Sequence, residues 1–137
     1  GDFFLQDKRS KSICLIAGGI GINPFMSMFN YIDAKNLDLN ATLLYSAKAP
    51  EELVFHDRLV ELSQKNPNLR FFPTITATAP QKWSGRVGRI DSALLDQVEL
   101  NIQTEYYLCG PPGMPTEIAA ILQHRGIDTN KIFFEEW

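Results

Sequence analysis

Cysteine is scarce. Cys14 and Cys109 are the two in 137 residues, each in apolar surroundings, which is neither a disulfide framework nor a metal-ligand spacing and points to a reducing intracellular compartment. No apolar run approaches the roughly 20 residues that a membrane-spanning helix requires, and residues 1–10 carry no signal-peptide hydrophobic stretch, so the sequence reads as soluble. A basic excess is missing too: 13 Lys+Arg against 16 Asp+Glu give a net charge of −3 and no electrostatic footprint for nucleic acid. Nine Gly and eight Pro are too few for a low-complexity chain, and 45% hydrophobic residues suffice for one packed core. His56 and His124, on separate predicted helices, lack the Cys or acid neighbours of a metal site and read as surface residues. Ser46 and Ser84 have no Gly-x-Ser-x-Gly elbow around them, so a hydrolase has no support.

What is present is alternation. Short β-branched or aromatic runs at Ser12–Ala17, Ala41–Tyr45, Leu69–Thr76, Glu105–Cys109 and Lys131–Glu135 read as strands. Between them lie helical patterns from Pro24 to about Lys35, from Pro50 to the stop at Asn66, over Asp91–Gln97 and over about Pro115–Arg125. The segment Ala77–Arg89, with Trp83, reads as a loop. Strands alternating with helices predict an α/β fold, a doubly wound parallel five-stranded sheet with helices on both faces. The first run is continuously apolar and is expected at the sheet centre.

Two glycine-rich turns each join a strand to a helix, and ligands of open parallel sheets bind beyond the carboxyl ends of the strands. The first, Gly18-Gly19-Ile20-Gly21-Ile22-Asn23-Pro24, offers unobstructed backbone N–H groups ahead of a helix and suits a pyrophosphate; the alternative is a tight turn with no ligand. It reads Gly-x-Gly-x-x-Pro, and no acid ends the second strand to hold a ribose, which disfavours an ordinary Rossmann dehydrogenase. The second, Cys109-Gly110-Pro111-Pro112-Gly113-Met114, sets a thiol at a strand end beside a stiff loop, either against a flat ring or as a small buried hydrophobe.

These two turns, with Tyr45-Ser46, Glu52-Leu53-Val54-Phe55 and Phe134-Glu135-Glu136-Trp137 in that order and spacing, resemble the nucleotide-binding half of the ferredoxin–NADP reductase superfamily over nearly the whole chain. The resemblance implies a two-domain flavoenzyme in which an N-terminal barrel binds FAD and this domain presents NADH or NADPH for hydride transfer to the flavin. By position, Gly19 to Pro24 hold the pyrophosphate, Cys109 lies beside the nicotinamide within the Gly110-Pro111-Pro112-Gly113-Met114 turn, Glu135 stands near the hydride-transfer site, and Trp137 covers the flavin. Phe55 matches an aromatic that stacks on adenine, with a core role as the alternative. The loop Trp83–Arg89 corresponds to a Gly-Arg or Gly-Tyr-Val turn that can reach the pyrophosphate or ribose, with a simple surface loop as the alternative. Residence in mitochondria is a further expectation of the resemblance.

The departures are informative. Ile20 replaces a Thr common among relatives, removing a hydroxyl near the nicotinamide. The family's Arg-x-Tyr-Ser flavin signature is absent and Gly1-Asp2-Phe3-Phe4 resembles the segment with which relatives leave the barrel, so residues 1–10 are expected to be the exit segment from a missing FAD-binding barrel and 11–137 the NAD(P)-binding domain. A 2′-phosphate requires Arg or Lys with hydroxyl partners. Ser46 and Lys48 are the candidates, with Arg58 farther away, and this sparse set favours NAD over NADP. The alternative function is a non-catalytic dinucleotide-sensing or protein-interaction domain. The electron acceptor and the oligomeric state are left open.

Overall fold

The computed structural model describes residues 11–77 and 82–135. Six strands form one parallel sheet: β1 (Ser12–Gly18), β2 (Asn40–Ala47), β3 (Leu69–Ile75), β4 (Arg86–Val87), β5 (Glu105–Cys109) and β6 (Ile132–Phe134), in the spatial order β4-β3-β2-β1-β5-β6. Four helices connect them: α1 (Ile22–Ala34), α2 (His56–Lys65), α3 (Ser92–Val98) and α4 (Met114–His124). β1 is buried at all seven positions because it is central and covered on both faces, as its unbroken apolar run predicts.

The pleat divides the core. Ile13, Leu15 and Ala17 pack with Phe25 and Phe29 of α1 and Leu59 and Leu62 of α2. Cys14 and Ile16 pack on the other face with Leu94, Leu95 and Val98 of α3 and Ile118 and Leu122 of α4. Alternation by two along one strand thus feeds two helical layers, the doubly wound arrangement.

Three expectations shift. The sheet has a sixth strand, β4, inside the segment read as a loop; two residues are too few for a periodicity signal, and its register Thr74↔Arg86 and Ile75↔Val87 is set by tertiary contacts. The Arg86 guanidinium donates to the Thr74 hydroxyl (2.9 Å) and to the carbonyls of Gly88 and Arg89 (3.2 and 2.9 Å), and pairs with Asp91 (3.0 Å). The helix expected from Pro50 is a single 3-10 turn, Pro50–Glu52, and α2 begins at His56. Buried Leu53 and the Tyr45 hydroxyl, which donates to the Glu52 carbonyl at 3.3 Å, pin that turn, and Phe55 then reverses the chain in the left-handed region (φ 66°). Trp83, in the supposed loop, is half-buried against the α1-side core, with its indole N–H donating to the Arg86 carbonyl (3.0 Å). Pro73 is tolerated because on its outer side β3 meets β4 only at Thr74 and Ile75.

Candidate functional site

The chain winds outward from β1 through β2 and β3, then crosses back to β5 on the other side of β1, so the strand order reverses between β1 and β5. Both glycine turns sit at that switch point, the first from Gly18 at the end of β1 to Gly21 and the second from Gly110 to Gly113 after β5, and Ala17 is in register with Cys109. The turns interlock at backbone distance. A Cβ on Gly21 would stand 2.4 Å from the Cys109 carbonyl oxygen, and one on Gly18 would stand 2.3 Å from the Met114 sulfur. Glycine at 21 is therefore required by backbone packing between the turns, whereas at 18 the neighbour is the movable end of the Met114 side chain.

Gly19 and Gly113 are different. Each has a positive φ (55° and 92°), and a Cβ on either would project into open space, with nothing within 4 Å. Both border a cavity of about 600 Å³ over the carboxyl ends of the strands. This is the size range of small-molecule sites, and the bare, left-handed turn at Gly19 leaves room for a phosphate next to the start of α1. β2 contributes Ser46 to the wall, the residue after the strand Lys48 and the next turn Glu52, and β3 is followed by Thr76. Pro111, Pro112 and Met114 line the β5 side, while Arg89, Ile90, Glu117 and Ile118 close the flank. Arg89 and Glu117 form an ion pair of 2.6 Å. The Lys48 ammonium has no hydrogen-bond or ion-pair partner among the described residues. The rim carries two cations, Lys48 and Arg89, and two acids, Glu52 and Glu117, above proline and methionine, so Lys48 is the side chain that can meet an anionic group while the floor suits flat, partly apolar ones.

The structure thus brings Gly19, Ser46, Lys48, Pro111, Pro112 and Met114 around one cavity. Gly18, Gly21 and Gly110 lie behind it in the interlock. Ile22 is fully buried, Pro24 is half-buried, Asn23 is exposed, and Ile20 projects with 78% of its surface in solvent. Cys109 is fully buried among the α1-side core residues, and it is not part of the cavity wall. Phe55 lies across the Pro50–Glu52 turn in a separate cleft with His56, Arg58 and Trp83. His56, read as a surface residue, packs edge-on against Phe71 (5.7 Å) and Trp83 (6.2 Å). Arg58 pairs with Glu61. Glu135 is half-buried and extends the β6 pairing through its N–H to the Leu108 carbonyl at 2.9 Å. Trp137 and the segment 1–10 lie outside the described residues.

Sequence reading missed Glu52, Thr76 and Glu117. Thr76 was within reach, because the rule that ligands collect at strand ends applies to the third strand as to the first. Glu52 read as an ordinary acid in the first turn of a helix, and no motif singled out Glu117.

A family model described as the oxidoreductase NAD-binding domain matches residues 15–120. The reductase component of propane 2-monooxygenase from Mycolicibacterium smegmatis is 26% identical over 141 residues, covering 100% of this chain and 40% of that protein. One subunit of the Na(+)-translocating NADH-quinone reductase of Methylococcus capsulatus is 29% identical over 143 residues, covering 100% and 35%. Flavohemoglobin from Malassezia yamatoensis, solved with bound FAD and heme, superposes with a TM-score of 0.82 at 24% identity over 98% of this chain and 34% of that one, a likeness of fold. The chain therefore spans two-fifths or less of the length of these relatives. A match across most of the sequence, on a parallel sheet whose two glycine turns meet at its switch point, means that the chain belongs to the oxidoreductase NAD-binding domain family.

Proposed function

We propose that this chain is the NAD(P)H-binding half of an FAD-dependent oxidoreductase, and that it presents the nicotinamide to a flavin held by a companion domain of the same polypeptide. The observation that carries the reading is the meeting of the two glycine turns at the β1/β5 switch point, opening on a cavity whose wall carries Lys48 and Arg89. Relatives named as a reductase component and as part of an NADH-quinone reductase support it.

When bound, the dinucleotide supplies a hydride and the flavin accepts it, so the task of the protein is placement. Gly19 leaves space for the pyrophosphate beside the amino end of α1, whose dipole favours the charge. Ser46, Lys48 and Thr76 receive the adenosine half over β2 and β3, and the stiff Pro111-Pro112 turn with Met114 receives the nicotinamide half over β5. Cys109, one residue before that turn, backs it from within the core and holds its entry point through the close approach of Gly21 to its carbonyl. Glu52 shares the wall with Ser46 and Lys48, and its carboxylate repels a 2′-phosphate while it can accept a hydrogen bond from a free ribose hydroxyl. NADH is therefore the preferred partner. The buried thiols Cys14 and Cys109 are compatible with a reducing compartment, and a mitochondrial address rests on the resemblance alone.

The test uses the polypeptide with its flavin domain, mixed anaerobically with NADH and separately with NADPH while flavin absorbance is followed. Rapid bleaching by NADH is expected, and Glu52→Gln should narrow the gap to NADPH. A protein that keeps its flavin yet is bleached by neither nucleotide, while the chain still binds dinucleotide, would replace this reading with a sensing domain. Ile20, apolar and exposed where the family resemblance implies a hydroxyl, is the observation that favours that second reading.

A further inference from the structure

We propose that Arg89 is a ligand for the dinucleotide pyrophosphate and that Glu117 holds it in waiting, so that nucleotide binding exchanges a carboxylate for a phosphate on one guanidinium. The inference rests on the nucleotide-binding reading above and adds a residue and a step to it.

The two arginines of the Arg86–Arg89 segment are used in opposite ways. The Arg86 side chain, 24% exposed, is consumed by Thr74, two carbonyls and Asp91. One of those carbonyls is that of Arg89, so Arg86 fixes the backbone from which Arg89 projects. The Arg89 side chain is 67% exposed and borders the cavity, and Glu117 is its one side-chain partner among the described residues. An ion pair this exposed is weak against competition. The guanidinium fork matches two phosphate oxygens as well as it matches a carboxylate, and a pyrophosphate brings more charge.

Glu117 is placed to let go. It lies in the first turn of α4, where the helix dipole favours an acid, and its side chain is 52% exposed, so water can solvate the carboxylate when Arg89 turns away. Lys48 lines the same cavity from the end of β2 and Gly19 opens on it, so a pyrophosphate in this cavity can meet a second cation. Without Glu117 the guanidinium would have no partner in the empty site and would bind phosphate more readily. The acid thus sets affinity and eases release.

The experiment measures binding of ADP-ribose by calorimetry and of adenosine by amide chemical shifts, on the chain as it stands and on Arg89→Gln, Arg89→Lys and Glu117→Gln. Arg89→Gln should weaken ADP-ribose about tenfold, the loss of one charge-assisted contact, and leave adenosine unchanged. Arg89→Lys should recover part of that loss, because it keeps the charge without the fork, and Glu117→Gln should tighten ADP-ribose severalfold. Unchanged ADP-ribose affinity in Arg89→Gln, or equal weakening of adenosine, overturns the assignment while the nucleotide-binding reading stands. Failure of the unsubstituted chain to bind ADP-ribose or NADH overturns both.

Discussion

Replacing Gly21 by alanine tests the interlock on which the site depends. The position has φ −63°, which any residue adopts, so backbone strain plays no part, and reducing the freedom of the unfolded chain would by itself stabilise by about 0.4–1 kcal/mol. Against this, the new Cβ would stand 2.4 Å from the Cys109 carbonyl oxygen, 2.7 Å from its carbon and 3.0 Å from the Gly110 nitrogen. All three are backbone atoms at the end of β5, paired to central β1, and cannot step aside without parting the strands. Overpacking of this kind costs about 1–3 kcal/mol, and the upper end applies where the neighbour is backbone. The net expectation is a loss of about 2 kcal/mol, a fall in melting temperature of roughly 6–10 °C for a domain of this size. Gly18→Ala is the control. Its Cβ would stand 2.3 Å from the Met114 sulfur, but that is the far end of a flexible side chain, so the loss should be smaller and should shrink further in a Met114→Ala background. Urea unfolding followed by tryptophan fluorescence measures both. A Gly21→Ala protein within about 0.5 kcal/mol of the parent, or one less affected than Gly18→Ala, would refute the close approach of the two turns.

Asp91 caps α3 by accepting from the Leu94 N–H at 3.0 Å and also pairs with Arg86, so Asp91→Ala should lower stability by about 1–2 kcal/mol in the same assay, while Asp91→Asn, which keeps the cap, should lose less. Burial, then the nearby Cys14, push the Tyr106 hydroxyl from its ordinary value of 10.0 up to about 12. The folded form therefore holds this proton more tightly, and stability is fully present below about pH 10 and declines as pH rises from there toward 12, a slope that Tyr106→Phe should flatten in urea midpoints taken across that range. Burial also pushes the Cys14 thiol upward, so Cys14 should react with a thiol reagent only at the rate of unfolding, measured as thiolate release in rising urea.

Much of the fold was legible. The continuous apolar run at Ser12–Ala17 marked a strand covered on both faces, and the apolar positions Phe25, Met28, Phe29 and Ile32 marked the buried side of α1, because both patterns are local consequences of burial. The place of the candidate site was legible, because two glycine turns that each follow a strand must meet at one end of a parallel sheet. Less legible were the elements whose shape comes from elsewhere. The turn at Pro50–Glu52 carries good helix-starting residues, yet burial of Leu53 and the hydroxyl of Tyr45 stop it after one turn and leave Phe55 in the left-handed region.

The sequence by itself determined the doubly wound layout and the family, since both rest on the order and spacing of strands, helices and glycine turns along the chain. Tertiary structure alone decided which glycines serve packing and which face the cavity, because that depends on the register of β1 with β5. It also placed Glu52, Arg89 and Glu117 around one cavity, for these residues come from three distant parts of the chain that meet only when the sheet has formed.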